Sequence, residues 1–158
     1  SALLGELNRG FGILMDELAR ERLALAVGAI AASRGALDLT IEYVKERKAF
    51  GKPIAEFQNT RFELARMETD YQVNRAFVDE CVTLFETGEL DAARASMAKL
   101  ASTEAQGRIC DGCLQLFGGY GYMSEYPISR AFVDARVQRI YGGTSEIMKE
   151  LISRSLLA

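Results

Sequence analysis

Residues 21–44 read Glu-Arg-Leu-Ala-Leu-Ala-Val-Gly-Ala-Ile-Ala-Ala-Ser-Arg-Gly-Ala-Leu-Asp-Leu-Thr-Ile-Glu-Tyr-Val. Within them Leu23, Val27, Ile30, Arg34, Leu37, Ile41 and Val44 recur at steps of four and three. That is the period of an α-helix with one apolar stripe. The same period runs through Leu64, Met67, Tyr71, Asn74, Val78, Cys81 and Phe85, and again through Leu100, Thr103, Gly107, Cys110, Leu114 and Phe117. Polar members in each series fit a globular bundle better than an extended coiled coil. Thr87-Gly-Glu-Leu-Asp91 parts the second and third tracts, with Gly88 suited to a helix C-cap and Asp91 to the next N-cap. A last helix starts at Thr144, with Glu146 in its first turn and Ile147 and Leu151 facing inward; a short helix is expected near Ser129 to Ala135. No stretch alternates as a strand would. The expected fold is all-α, an antiparallel up-and-down four-helix bundle of three long helices and a shorter fourth.

The 158 residues are one domain's worth and can bury a core without staples. The net charge of −3 argues against a general nucleic-acid binder. Histidine is absent, which removes His-containing zinc sites, the Ser-His-Asp triad and any histidine base. No metal site is expected. Three cysteines are too few and odd in number for a disulfide framework, so the sequence points to a reducing compartment. No apolar run reaches the roughly 18 residues of a membrane span, so no membrane span is expected. The chain starts at Ser1 without a signal-peptide pattern and without an initiator Met, as a processed product or a piece of a larger protein would.

Five stretches have residue types that could carry chemistry, each beside a plainer structural role. Cys110-Asp-Gly-Cys113 has redox spacing but lies late in a helix, where the thiols serve as core. Gly118-Gly-Tyr-Gly121 follows a helix rather than a strand, so it lacks the dinucleotide-fold context and reads as a helix stop, with backbone contact to a phosphate or ring still open. Tyr141-Gly-Gly-Thr144 precedes the last helix; it is an ordinary N-cap or a set of free N–H groups for an anion or a polarised carbonyl. Arg47-Lys-Ala-Phe-Gly-Lys52 supplies basic residues to a helix C-terminus, or else a phosphate contact by Arg47 with Phe50 stacking on a ring and Gln58 joining from the next helix. Glu17, Arg20, Glu21 and Arg22 form a charge cluster: a solvated face, or a carboxylate that a dry pocket would turn into a base.

Arg47-Lys-Ala-Phe-Gly-Lys-Pro53, Gln115-Leu-Phe-Gly-Gly-Tyr-Gly-Tyr122 and Arg139-Ile-Tyr-Gly-Gly-Thr-Ser-Glu-Ile147 stand in the order and spacing of acyl-CoA dehydrogenases. Across essentially its whole length the chain resembles their C-terminal helical domain, most like the long-chain type. The family's N-terminal helical and β domains have no counterpart here. The resemblance divides the chain into residues 1–10, a linker from the β domain, and residues 11–158, the bundle.

This resemblance implies a flavoenzyme that oxidises acyl-CoA to trans-2-enoyl-CoA with FAD. Many members carry a Glu directly after the Tyr of the last glycine motif; here that position is Gly142. Long-chain and isovaleryl-type members carry the base in a Glu-Arg-Leu step on the first long helix, which implies Glu21 here. The resemblance further implies Arg47, Phe50 and Gln58 as contacts to the FAD diphosphate and adenosine of a neighbouring subunit. Gln115, Gly118 and Gly119 form a second stretch on that flavin, and Thr144 and Glu146 are flavin contacts. Tyr141, Gly142 and Gly143 line the thioester site, with Arg22 beside the base. Implied partners are the acyl-CoA, an electron-transferring flavoprotein as acceptor and further copies of the chain in a dimer or tetramer. The implied compartment is the cytoplasm, or the mitochondrial matrix in a eukaryote. An acyl-CoA oxidase-like flavoenzyme and a non-catalytic helical assembly module are the alternative readings.

Overall fold

The computed structural model describes residues 2–158, and their architecture is helical. In chain order they form α1 (Gly10–Glu46), β1 (Lys48–Ala49), β2 (Lys52–Pro53), a 3-10 turn at Ile54–Glu56, α2 (Gln58–Glu86), α3 (Ala92–Phe117), a 3-10 turn at Gly118–Tyr122, α4 (Pro127–Val137) and α5 (Ser145–Leu157). The all-α expectation holds; the short helix near Ser129 to Ala135 forms beside the four bundle helices and brings the α-helices to five. That short helix, α4, is longer than anticipated and begins with Pro127 at its first position, where the missing N–H costs nothing. The first helix starts at Gly10, the last residue of the expected linker.

A two-residue antiparallel ladder, Lys48 opposite Pro53 and Ala49 opposite Lys52, corrects the expectation of no strand. It escapes periodicity because two residues cannot show alternation. Its turn is made by Phe50 and Gly51, both at positive φ (52° and 84°), which is the backbone a tight two-residue hairpin needs.

The connection between α2 and α3 forms as its residues suggest. Gly88 adopts φ 75°, Glu89 N–H donates to the Leu84 carbonyl, and Gly88 N–H donates to that of Phe85, which closes a Schellman C-cap. Asp91 accepts from the Arg94 N–H at 2.6 Å as the N-cap of α3.

Helix α3 is the central element and packs against the four other α-helices. Its contacts with α2 run in opposite senses, with Asp70 on Arg108 and Glu80 on Arg94, so the two are antiparallel. Its contacts with α1 run in the same sense, Arg22 lying beside Lys99 and Tyr43 on Phe117, so these two are parallel. Small buried residues (Ala26, Ala29, Ser33 and Ala36 on α1; Ala95, Ala98, Ser102 and Ala105 on α3) let the helices approach closely. The buried hydroxyls close on their own helices: Ser33 and Thr40 each donate to the carbonyl four residues back at 2.7 Å.

This packing corrects the expected stripes. Val27, Phe85 and Ile147 are exposed, because the buried seams run through smaller neighbours; on α5 the core residue is Met148, not Ile147. Cys110 and Cys113 are buried, free thiols, and Cys113 Sγ lies 3.8 Å from Met67 Sδ, as the core reading requires. Helix α1 is long and apolar enough to cross a membrane by length and composition alone, a property that the core helix of a globular bundle shares. In this fold its Leu23, Ala26, Ile30 and Leu37 belong to the core cluster.

Candidate functional site

The residues singled out by sequence fall into two groups at opposite ends of α1. From Arg22 to Glu46 the helix rises roughly 36 Å at about 1.5 Å per residue.

At the far end, Arg47, Gln115, Gly118 and Gly119 line one cavity of about 570 Å³ together with Tyr43 and Tyr120. Each element delivers its residue for a local reason. Arg47 is the C-cap of α1, and its guanidinium lies 5.1 Å from the Tyr120 ring centre. Gln115 is in the last turn of α3, and Gly118 ends that helix at φ 60°. A Cβ at Gly118 or Gly119 would meet nothing within 4 Å, so bare backbone faces open space. Phe50 and Gln58 are not brought into this cavity. Phe50 sits on the hairpin tip, 96% exposed and at positive φ, an aromatic ring held in a costly backbone conformation without burial. Gln58 is the exposed first residue of α2.

At the near end, Gly142 and Gly143 take successive positive φ values of 64° and 98° in the loop that leads to α5. Thr144 is the N-cap of that helix; its hydroxyl accepts from the Ile147 N–H at 3.3 Å. Among the described residues, no intramolecular acceptor is found for the N–H groups of Gly142, Gly143 and Thr144. Glu146 lies exposed in the first turn, where its own backbone N–H and the Thr144 hydroxyl hold its carboxyl below the usual range. Tyr141 is 44% exposed.

Glu21 is exposed on α1. Leu25 is one turn further along the same face, and a Cβ on Gly142 would collide with its Cδ1. The carboxylate face of α1 and the glycine loop therefore share one end of the bundle. Arg22 turns the other way and is buried, with Nε lacking a partner. Burial lowers its pKa, against the pull of Glu21.

Two residues in this region carry no signal in the sequence periodicity. Lys99 is completely buried and donates from Nζ to the Gly143 carbonyl at 2.6 Å. Burial takes its pKa below the ordinary lysine value; Glu104 opposes that and Arg22 adds to it. Glu104 accepts from the Ser145 hydroxyl at 2.8 Å and from Arg139 at 2.9 Å. Burial by itself raises the Glu104 pKa, but these two hydrogen bonds carry it below the usual range. The available signal was a single Lys among the apolar and small residues Ala95-Ser-Met-Ala-Lys-Leu100.

The near end thus presents unpaired backbone donors at the positive end of a helix, two buried cations and an exposed carboxylate, Glu21, one turn of α1 from the Leu25 that meets the loop. That set can bind an anion or polarise a carbonyl and offers a base beside it. The far end presents an open, glycine-floored cavity with a guanidinium and aromatic rings, which fits a phosphate joined to a planar ring. Both sets fit the two halves of a flavin dinucleotide. Among the described residues, no group of three or more metal-ligating side chains is found.

Residues 8–157 match the family profile described as "Acyl-CoA dehydrogenase, C-terminal domain". The long-chain specific acyl-CoA dehydrogenase, mitochondrial, of Sus scrofa is 55% identical over 157 residues, covering 99% of this chain and 36% of that protein. The crystal structure of an acyl-CoA dehydrogenase from Geobacillus kaustophilus superposes with a TM-score of 0.93 at 45% identity, over 98% of this chain and 40% of that one. A glutaryl-CoA dehydrogenase from Mycobacterium smegmatis in complex with FADH2 superposes at 0.84 with 27% identity, over 88% of this chain and 36% of that one. The chain therefore spans little more than a third of the relatives it matches.

Proposed function

The chain belongs to the acyl-CoA dehydrogenase family, and on that premise we propose that it is the C-terminal helical domain of an FAD-dependent enzyme oxidising acyl-CoA to trans-2-enoyl-CoA. The observation that carries this reading is the meeting of the Glu21 face of α1 with the Gly142–Gly143 loop through Leu25. An α-proton of a thioester is only weakly acidic, so its removal needs a base and a polarised carbonyl in one place. Glu21 takes the proton. The N–H groups of residues 142–144 and the positive end of α5 receive the charge that develops on the thioester oxygen. Tyr141, Gly142 and Gly143 line that site, and Arg22 stands beside the base.

The chemistry that a bound FAD would supply here is acceptance of the β-hydrogen as hydride. Thr144 and Glu146 are its contacts at the near end. Arg47, Phe50 and Gln58, with Gln115, Gly118 and Gly119, hold a diphosphate and adenosine at the far end. By the family resemblance the far-end residues serve the flavin of a neighbouring subunit, and their place at the end of α1 opposite the glycine loop supports that reading. The site is then complete only in a homo-oligomer, a dimer or tetramer. The electron acceptor is an electron-transferring flavoprotein. The setting is fatty-acid β-oxidation, in the cytoplasm or, in a eukaryote, the mitochondrial matrix, as the "mitochondrial" of the Sus scrofa relative's name suggests. By itself the chain is inactive, because the other contacts to flavin and substrate lie outside it; turnover of an acyl-CoA by the chain with FAD alone contradicts this.

The test is an anaerobic titration of the full-length enzyme, wild type beside Glu21→Gln, with short- to long-chain acyl-CoAs, read as loss of the flavin's visible absorbance. Bleaching in wild type alone supports dehydrogenation with Glu21 as base. Bleaching in both places the base elsewhere. No bleaching in either favours a helical assembly role.

A further inference from the structure

We propose that Lys99 is a positioning residue for this reaction: its buried ammonium grips the Gly143 carbonyl and thereby aims the backbone donors of the glycine loop. The proposal rests on the reading of that loop as the thioester and flavin site. Lys99 is the largest fully buried side chain, and its hydrogen bond goes to a backbone oxygen 44 residues away. Among the described residues it has no carboxylate within ion-pair distance, and the cation of Arg22 lies near it. A lysine is a poor choice for merely filling such a site. An apolar side chain of similar volume is usually neutral or better for stability, because it avoids desolvating a charge.

The loop explains what the charge does. Two successive glycines at positive φ have little conformational preference of their own, so the direction of their peptide planes must be imposed from outside. Lys99 fixes the Gly143 carbonyl toward α3. The peptide is planar and trans, so the Thr144 N–H of the same unit points the opposite way, out of the bundle. Glu104 secures the flanks of the loop through Arg139 and Ser145. With its ends and its centre held by α3, the loop has its Thr144 N–H turned away from α3, at the end of the bundle where Leu25 of α1 meets Gly142. An ammonium on the carbonyl also polarises that peptide unit and strengthens its N–H as a donor.

The test uses the full-length, flavin-loaded enzyme as wild type, Lys99→Met and Lys99→Gln. The readouts are amide hydrogen exchange at residues 142–145, kcat and KM for acyl-CoA oxidation, and the carbonyl stretch of a bound 13C-labelled thioester. Lys99→Met is expected to retain flavin, to exchange the loop amides roughly tenfold faster or more, and to lose kcat by about tenfold or more, with KM within about threefold. The carbonyl band moves back toward its position in water. Lys99→Gln, which keeps a donor, recovers part of each change. Wild-type exchange and kcat in Lys99→Met overturn the proposal, as does a loss of kcat with loop exchange and carbonyl band unchanged. If Lys99→Met does not fold, Lys99→Gln against wild type decides it. Faster loop exchange with lower kcat then supports the grip, because the shorter amide holds the carbonyl less firmly; wild-type values of both overturn it. A wild type whose flavin no acyl-CoA bleaches defeats the functional reading alone, and the exchange comparison still decides whether Lys99 holds the loop.

Discussion

Leu25 lies over Gly142 so closely that a Cβ at residue 142 would overlap the Leu25 Cδ1. The same glycine has φ 64°, a conformation that side-chain-bearing residues rarely adopt. Gly142 is also the position at which the sequence departs from the many family members that carry a Glu after the tyrosine. Gly142→Glu is therefore expected to destabilise the chain by about 1–3 kcal/mol through backbone strain and the clash together. Gly142→Glu combined with Leu25→Ala should lose less than the two single changes summed. Urea midpoints of the four proteins check this; strict additivity would show that the overlap carries no energy.

Helical glycines divide in the opposite way. A Cβ at Gly28, on an exposed face of α1, would meet nothing within 4 Å, whereas one at Gly112 would stand 2.7 Å from Met67 Sδ and 3.1 Å from an Arg66 nitrogen. Gly28→Ala is expected to stabilise by about 0.5–1 kcal/mol, through helix propensity and a less flexible unfolded chain. Gly112→Ala gains the same term but forces the Met67 thioether out of its seat against Cys113, and overpacking typically costs about 1–3 kcal/mol. Thermal unfolding should move up for the first variant and down for the second.

What the sequence reveals and what it withholds follow from the range of each interaction. Helix identity is written every three or four residues, so α1, α2 and α3 were legible, as were the Gly88 and Asp91 caps, whose chemistry is local. Which side of each helix becomes the seam was not. Periodicity favours large apolar residues such as Val27, whereas packing chose Ala26, Ala29 and Ser33, over which the helices come closest. The hairpin at Lys48–Pro53 is too short to leave a pattern. At the candidate site, the glycine motifs stand out because few residue types tolerate that backbone. Lys99 did not stand out, since its meaning comes from Gly143, 44 positions away. Glu104 is in the same position with respect to Arg139 and Ser145.

The buried thiols make the chain sensitive to alkali. Burial pushes Cys110 up to about 12 and Cys113 up to about 11. An unfolded thiol titrates near 8.5. The native state therefore binds more protons than the unfolded state between these values, and stability falls as pH rises through them. Below about pH 8.5 the contribution is fully present. Two outcomes are expected: at pH 8 a thiol reagent should label Cys110 and Cys113 only as fast as the chain unfolds, and the urea midpoint should drop steadily from pH 9 upward. Replacing both cysteines by alanine should weaken the core but flatten that alkaline limb.

The acid limb should report Glu104. Its carboxyl is held below the usual range by Ser145 and Arg139 despite the opposing effect of burial. A depressed native pKa means that the stabilisation is present above the unfolded value, near pH 4.3, and is lost as pH falls through the native value. Both side chains of the Arg139 pair remain about a third exposed (31% and 32%), so solvent screening limits the effect to about 1 kcal/mol. Glu104→Gln should therefore be less stable than the parent by about that amount at pH 7 and converge with it only as pH falls through the depressed native value, where the parent's carboxyl takes up its proton. A gap of constant size across the whole range would show that the hydrogen bonds, not the charge, secure the start of α5 to α3.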